Sequence, residues 1–181
     1  MTSAFQPAPI AIFQGFGIVG ELFLAGPTNA QPGILDSADA EDNLMGRAFT
    51  VKDGAGQGSA IIVEAGGTGV FAGILCNPKV YAARGTVAGG TLAPTIQLPN
   101  NSVAEFATMT PGIIVDCGAA NVGDQIEFLQ ADGTLNAIAP SAGPSANSTI
   151  INGASVVRYD VSSGLSVIAL GVASTAAYNT P

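Results

Sequence analysis

Short apolar, β-branched runs, closely spaced glycine turns and the lack of any long helical period predict an all-β fold. The expected architecture is a barrel or sandwich of short strands, with one or two short helical turns and an extended N-terminal arm. Residues 1–14 read as the arm, 15–172 as a single β-rich domain and 173–181 as a tail without strong structural preference.

The arm carries Pro7 and Pro9, which disfavour helix and favour extended backbone. Ile10 and Ile12 alternate as in a strand added to a sheet edge, and Phe5 and Phe13 are poor residues to leave in water. Such a segment suits contact with a neighbouring subunit, or pairing within its own sheet. Gly15-Phe-Gly-Ile-Val-Gly20 matches the dinucleotide-binding glycine pattern, and Asp39 follows at about the right distance. The context fails: the third glycine should open a helix of several turns, and Gly26-Pro27 arrives six residues later. These glycines mark a turn or bulge between short strands.

Residues 31–43 read as a loop holding Asp36, Asp39, Glu41 and Asp42. Clustered carboxylates suit a hard cation, but the EF-hand spacing and its glycine are missing, so a solvated acidic loop is the simpler reading. Residues 46–52 alternate as a strand, 53–58 form a glycine turn and 59–64 a return strand. No Gly-Lys-Ser/Thr follows those glycines, so they are not a phosphate loop. Residues 66–84 then run from a glycine turn through an apolar strand (70–76) into Asn77-Pro78. These two can cap a short helical turn that ends at Gly85.

Residues 85–94 are loop-like and 95–98 a short strand. Ser102-Val-Ala-Glu105 is a capping box that predicts a helical turn to about Met109, stopped by Thr110-Pro111-Gly112. Residues 112–117 read as a buried strand. Residues 125–130 and 134–139 form a hairpin about Asp132-Gly133, and 140–148 a loop. Residues 156–161 and 165–172 form a second hairpin about Ser162-Ser163-Gly164.

The chain has 181 residues, enough to bury ~70% of its unfolded surface. It is 48% hydrophobic and only 10% charged, which suggests surface covered by other subunits; a neutral Gly/Ser/Thr/Asn surface is the plainer alternative. Thirteen acids against five bases give a net charge of −8, which argues against phosphate-backbone and anionic-membrane partners. Histidine is absent, and with it the ordinary general base near neutral pH and the commonest zinc ligand. Cys76 and Cys117 sit in apolar settings that suit two buried, reduced thiols; a disulfide is the alternative. The N-terminus lacks the basic start of a secretory signal, and no apolar stretch is long enough to suggest a transmembrane helix.

Several stretches together resemble the structural cement, or capsid decoration, proteins of tailed bacteriophages. They are residues 66–84, Gly17-Ile-Val-Gly-Glu21 with Gly26-Pro-Thr-Asn-Ala30, Gly46-Arg-Ala-Phe-Thr50, Leu98-Pro-Asn-Asn-Ser-Val-Ala-Glu105 and Val122-Gly-Asp-Gln-Ile126. The resemblance implies a non-enzymatic virion protein without cofactors. Such a protein would sit on the outside of the capsid, bind the major capsid protein, self-associate as a trimer and assemble in the host cytoplasm. It would clamp adjacent capsid subunits against the pressure of packaged DNA. Under that reading the expected assembly contacts are Phe5, Ile10, Ile12, Phe13, Ile18, Val19 and Leu22, within the arm and residues 17–24. A tail, fibre or spike component, or a small-ligand β-barrel, would share much of this composition.

Overall fold

The computed structural model describes residues 17–23, 26–52, 61–76 and 97–171. Nine strands carry the fold: β1 (Asn29–Leu35), β2 (Ala48–Val51), β3 (Ile62–Ala65), β4 (Phe71–Leu75), β5 (Val103–Val115), β6 (Gln125–Leu129), β7 (Leu135–Ile138), β8 (Ser148–Asp160) and β9 (Leu165–Leu170). A single 3-10 turn, Ala40–Asp42, is the helical element among the described residues.

The strands pair in the order β1-β3-β2-β4-β5-β9-β8-β6-β7, and β1 also pairs with β5. That extra pairing closes β1, β3, β2, β4 and β5 into a five-stranded barrel; its one parallel contact is β1 with β3. The remaining strands extend from β5 as an antiparallel sheet, β5-β9-β8-β6-β7. The all-β class is as the sequence predicted, and five of the strands take the barrel among the two architectures expected, barrel or sandwich.

β5 belongs to both sheets. Its first half pairs with β1 and β4, and its second half with β9. Between them the register breaks, from Thr110 to Ile113, around Pro111-Gly112. Proline cannot donate to a ladder, so it fits a bulge, and bulges let a strand turn from one sheet into another.

Two apolar cores follow from this layout. Leu35, Phe49, Val63, Leu75, Ala104 and Phe106 fill the barrel, with the Phe49 and Phe106 rings 5.1 Å apart and tilted. Ile74, Ile113, Val115, Ile126, Phe128 and Ile168 belong to the second core, beneath the extended sheet.

The lobes are joined where the turn after β3 meets the turn after β6. Ala48 N donates to Gly133 O (2.9 Å), Gly66 N to Ala48 O (3.0 Å) and Gly67 N to Gln130 O (2.7 Å). Gly66 and Gly133 both have positive φ, 68° and 75°, a region that side chains disfavour.

A polar knot closes one end of the barrel. Buried Asn43 donates from Nδ2 to Leu98 O (3.0 Å) and Asn100 Oδ1 (2.8 Å), while Ser37 Oγ donates to Asn43 Oδ1 (2.6 Å). Ala65 N donates to Ser37 Oγ (2.8 Å), which ties the knot to β3. Each of these polar groups is satisfied, as burial requires.

Several sequence expectations are corrected. Residues 102–109 are strand, not a helical turn: Ser102 Oγ donates to Pro99 O (2.6 Å) and Val103–Val115 is one strand. Ala104 and Phe106 face a core while Val103 and Glu105 face outward, so pairing on both edges overrides the local capping signal. Residues 31–35, read as loop, lie in β1. The second hairpin's first strand begins at Ser148, not at Val156. The β6–β7 hairpin lies where expected, the 46–52 strand shortens to β2, and of the 59–64 strand the described part lies in β3, which ends at Ala65. The arm, the 53–58 turn, the 77–84 helical turn, the 85–94 loop and the 173–181 tail lie outside the described residues.

Candidate assembly surface

Residues 17–23 run beside the second half of β5. Gly20 N donates to Ile114 O (2.7 Å), Ile114 N to Glu21 O (2.9 Å) and Phe23 N to Gly112 O (2.9 Å), with a bridge between Leu22 and Ile113. Glu21 N donates to Ile18 O (3.0 Å), so the chain makes a tight turn before it joins β5. The glycine motif is thus a turn into a short paired segment, as its context implied.

This geometry separates the predicted contacts. Ile18, at the turn, is 60% exposed and Leu22 is 40% exposed. Val19 folds inward over Gly46, whose missing Cβ leaves space for the valine Cγ1. Gly46 also has φ of 78°, a value that favours glycine. Phe5, Ile10, Ile12 and Phe13, with Leu24, lie outside the described residues.

Val19 forms part of the wall of an open cleft of about 320 Å³. Leu44, Met45 and Leu135 supply the rest of its apolar lining, and Arg47 and Asp116 are among its polar groups. Arg47 is already engaged: Nη1 lies 2.7 Å from Asp42 Oδ1 and donates to Asp132 O at 3.1 Å.

Other exposed apolar side chains were not singled out from the sequence. Val122 is 71% exposed and Val161 is 83% exposed, each in a turn. The Val161 turn is stiffened by Asp160, whose Oδ2 accepts from Ser162 Oγ (2.6 Å), Ser163 Oγ (2.7 Å) and Ser163 N (3.0 Å). These bonds hold the Asp160 carboxyl below its ordinary pKa. The Arg158 guanidinium lies 5.9 Å from the centroid of the Phe23 ring, tying the 17–23 segment to β8. The signal for the valines was a lone β-branched residue inside a Gly, Ser or Asn turn, where burial is not expected.

The acidic loop uses its carboxylates locally. Asp36 pairs with Lys52 at 2.7 Å, which raises the lysine pKa. Asp39 caps the 3-10 turn by accepting from Glu41 N (2.9 Å), and Asp42 pairs with Arg47. No group of three or more His, Cys, Asp or Glu is placed to hold a metal ion among the described residues. No helix among the described residues is long and apolar enough to cross a membrane. Cys76 and Cys117 are both free and buried, and burial pushes the Cys76 thiol up to about 11 and raises that of Cys117.

The family model described as structural cement protein (E217 gp24/Pam3 gp6) matches residues 5–171. This chain belongs to the structural cement protein family. A chain of a solved structure entitled "The capsid of Myoviridae Phage XM1" resembles this cement-family chain with a TM-score of 0.57. The two share 14% identity over 90% of this chain and 96% of the other, a likeness of fold. No curated protein matches the sequence.

Proposed function

We propose that this chain is a capsid cement that binds the outer surface of a phage head and bridges adjacent major capsid subunits. The bridge holds those subunits against the outward pressure of packaged DNA, and it works without catalysis, nucleic acid or membrane. Family membership over residues 5–171 carries the reading. The resemblance to a chain from a solved phage capsid supports a place on the head rather than the tail.

Physical features agree with that role. Separating two capsid subunits joined by the clamp must also break the clamp's own contacts, and many copies in parallel make modest single-site affinities sufficient. The net charge of −8 favours an exterior position, away from DNA. Two of the five bases, Arg47 and Lys52, are already paired with carboxylates. The arm (Phe5, Ile10, Ile12 and Phe13) and the exposed Ile18 and Leu22 are the assembly contacts in this reading, and the protein acts as a trimer.

The test uses heads that lack the protein. Added full-length chain should bind them saturably, as seen by cosedimentation and by external density in electron cryomicroscopy, and should raise the temperature at which they release DNA. Binding to tails alone, or binding without any gain in head stability, would overturn the proposal. Loss of head occupancy on deleting residues 1–13 is expected if the arm is a contact.

A further inference from the structure

We propose that the cleft walled by Val19 receives a lysine or arginine side chain of the major capsid subunit. The cleft has this role only if the chain bridges capsid subunits as proposed above.

Met45 and Leu135 are buried and give the cleft an apolar floor, and Val19 and Leu44 are half-buried along it. Asp116 also lines the cleft and is exposed. Its Oδ1 accepts from Gly118 N (3.2 Å), and no cation among the described residues pairs with it. Arg47 is a further lining residue, but its Nη1 is held by Asp42 and lies 3.6 Å from Asp132 Oδ2. Three carboxylates against one guanidinium leave a surplus of two negative charges beside the apolar floor. A lysine or arginine answers both features, because its stem covers apolar surface while its charged head stays at a wet carboxylate. At about 320 Å³ the cleft stands at the bottom of the size range of small-molecule pockets, which suits one long side chain better than a separate ligand.

Charge selects the donor of that side chain. A second copy brings 13 acids and only five bases. Arg47 and Lys52 are in ion pairs and Arg158 lies over the Phe23 ring, while Lys79 and Arg84 lie outside the described residues. A copy with a net charge of −8 is thus poorly matched to an acidic cleft, and a chain of another kind with a basic side chain is the complementary partner. Position agrees: Val19 follows the exposed Ile18 in the 17–23 segment, so the cleft continues the candidate assembly surface. A carboxylate facing a cation across such a contact speeds association and fixes the register of the two partners.

Matched charge reversals in the full-length chain, added to heads that lack the protein, test this. Asp116→Lys should weaken saturable head binding by about tenfold or more, because it sets like charges against each other. Glu105→Lys makes the same charge change at an exposed site in the barrel half of β5 and should stay within about twofold of wild type. Asp116→Asn keeps an acceptor for Gly118 N, and it should lose part of the affinity and flatten the salt dependence of binding. It serves as the test if thermal unfolding shows that Asp116→Lys misfolds. Equal losses for Asp116→Lys and Glu105→Lys, or no loss for either Asp116 variant, would overturn the assignment. So would an oligomer that dissociates in light scattering on Asp116→Lys, since the cleft would then belong to a second copy. Failure of the wild-type chain to bind heads sinks the cement reading itself, whereas wild-type binding without the Asp116 effect sinks the cleft assignment alone.

Discussion

Gly66 and Gly133 lie backbone to backbone: a Cβ on Gly66 would stand 2.8 Å from Gly133 N, and one on Gly133 would stand 2.9 Å from Gly66 N. Both glycines also have positive φ. Neither strain nor crowding can be relieved by turning a side chain, because the obstacles are main-chain atoms. Gly66→Ala and Gly133→Ala should each lose about 1–3 kcal/mol from the backbone conformation alone, with further loss from the clash. Urea unfolding followed by far-UV circular dichroism should show lower midpoints. The control Gly118→Ala also has positive φ but meets nothing within 4 Å, so the difference between controls and joint variants isolates the crowding.

Arg47 joins the acidic loop to the β6–β7 turn through Asp42 and Asp132. Its side chain is largely sheltered, so the charged hydrogen bonds are only partly screened. Arg47→Met should cost about 1–2 kcal/mol. Part of that difference should vanish in 1 M salt, on the order of the screening expected for a partly exposed pair. A salt-independent loss would place the effect in the packing of the arginine stem instead.

Asp160 predicts an acid response at the β8–β9 tip. Its folded pKa is lowered, so its contribution is present above the ordinary aspartate value of 3.8 and is lost as the pH falls below it. Hydrogen exchange at the Ser163 amide should accelerate relative to the core as the pH drops through that range. Asp160→Asn should remove the pH step. Lys52 has the opposite sign: its folded pKa is raised above 10.5, so its pairing with Asp36 is present at neutral pH and fades as the pH rises past that value.

Both thiols should resist modification in the folded protein. At pH 8 burial keeps Cys76 and Cys117 in the unreactive protonated form, and access is closed as well. A disulfide-exchange reagent should label neither residue in buffer and both in guanidinium. Rapid labelling of one in buffer would mean that its sheet opens locally.

Strand periodicity made much of the fold readable from the chain. Gln125, Ile126, Glu127 and Phe128 alternate beside an Asp132-Gly133 turn, and that local chemistry suffices to set the β6–β7 register. Glu127 shows the limit of the same reasoning. Its alternation with Ile126 and Phe128 would put it on a wet face, yet it is buried, its Oε2 accepting from Ser145 N at 2.8 Å under the 140–147 loop. Local sequence cannot report a cover that arrives from eighteen residues away. Ser102-Val-Ala-Glu105 failed for a related reason, since its helix signal is local and the two partners that make it strand are distant. Of the candidate contacts, Ile18 and Leu22 were legible as apolar residues among turn glycines. Val19 was not separable from them, because its partial burial depends on Gly46 across the fold.

A single thirteen-residue strand, β5, spans the barrel and the extended sheet, a path of at most roughly 44 Å at ~3.4 Å per residue that bends at the Pro111-Gly112 bulge. Tension applied to either lobe therefore passes into the other along covalent bonds, not across a hinge. Antiparallel neighbours flank β5 on either side of the bulge, β1 and β4 before it and β9 after it, so a pull along either half loads hydrogen bonds in shear instead of opening them one by one. Under the proposed bridging role, the contacts with capsid should therefore detach while the two lobes still hold each other.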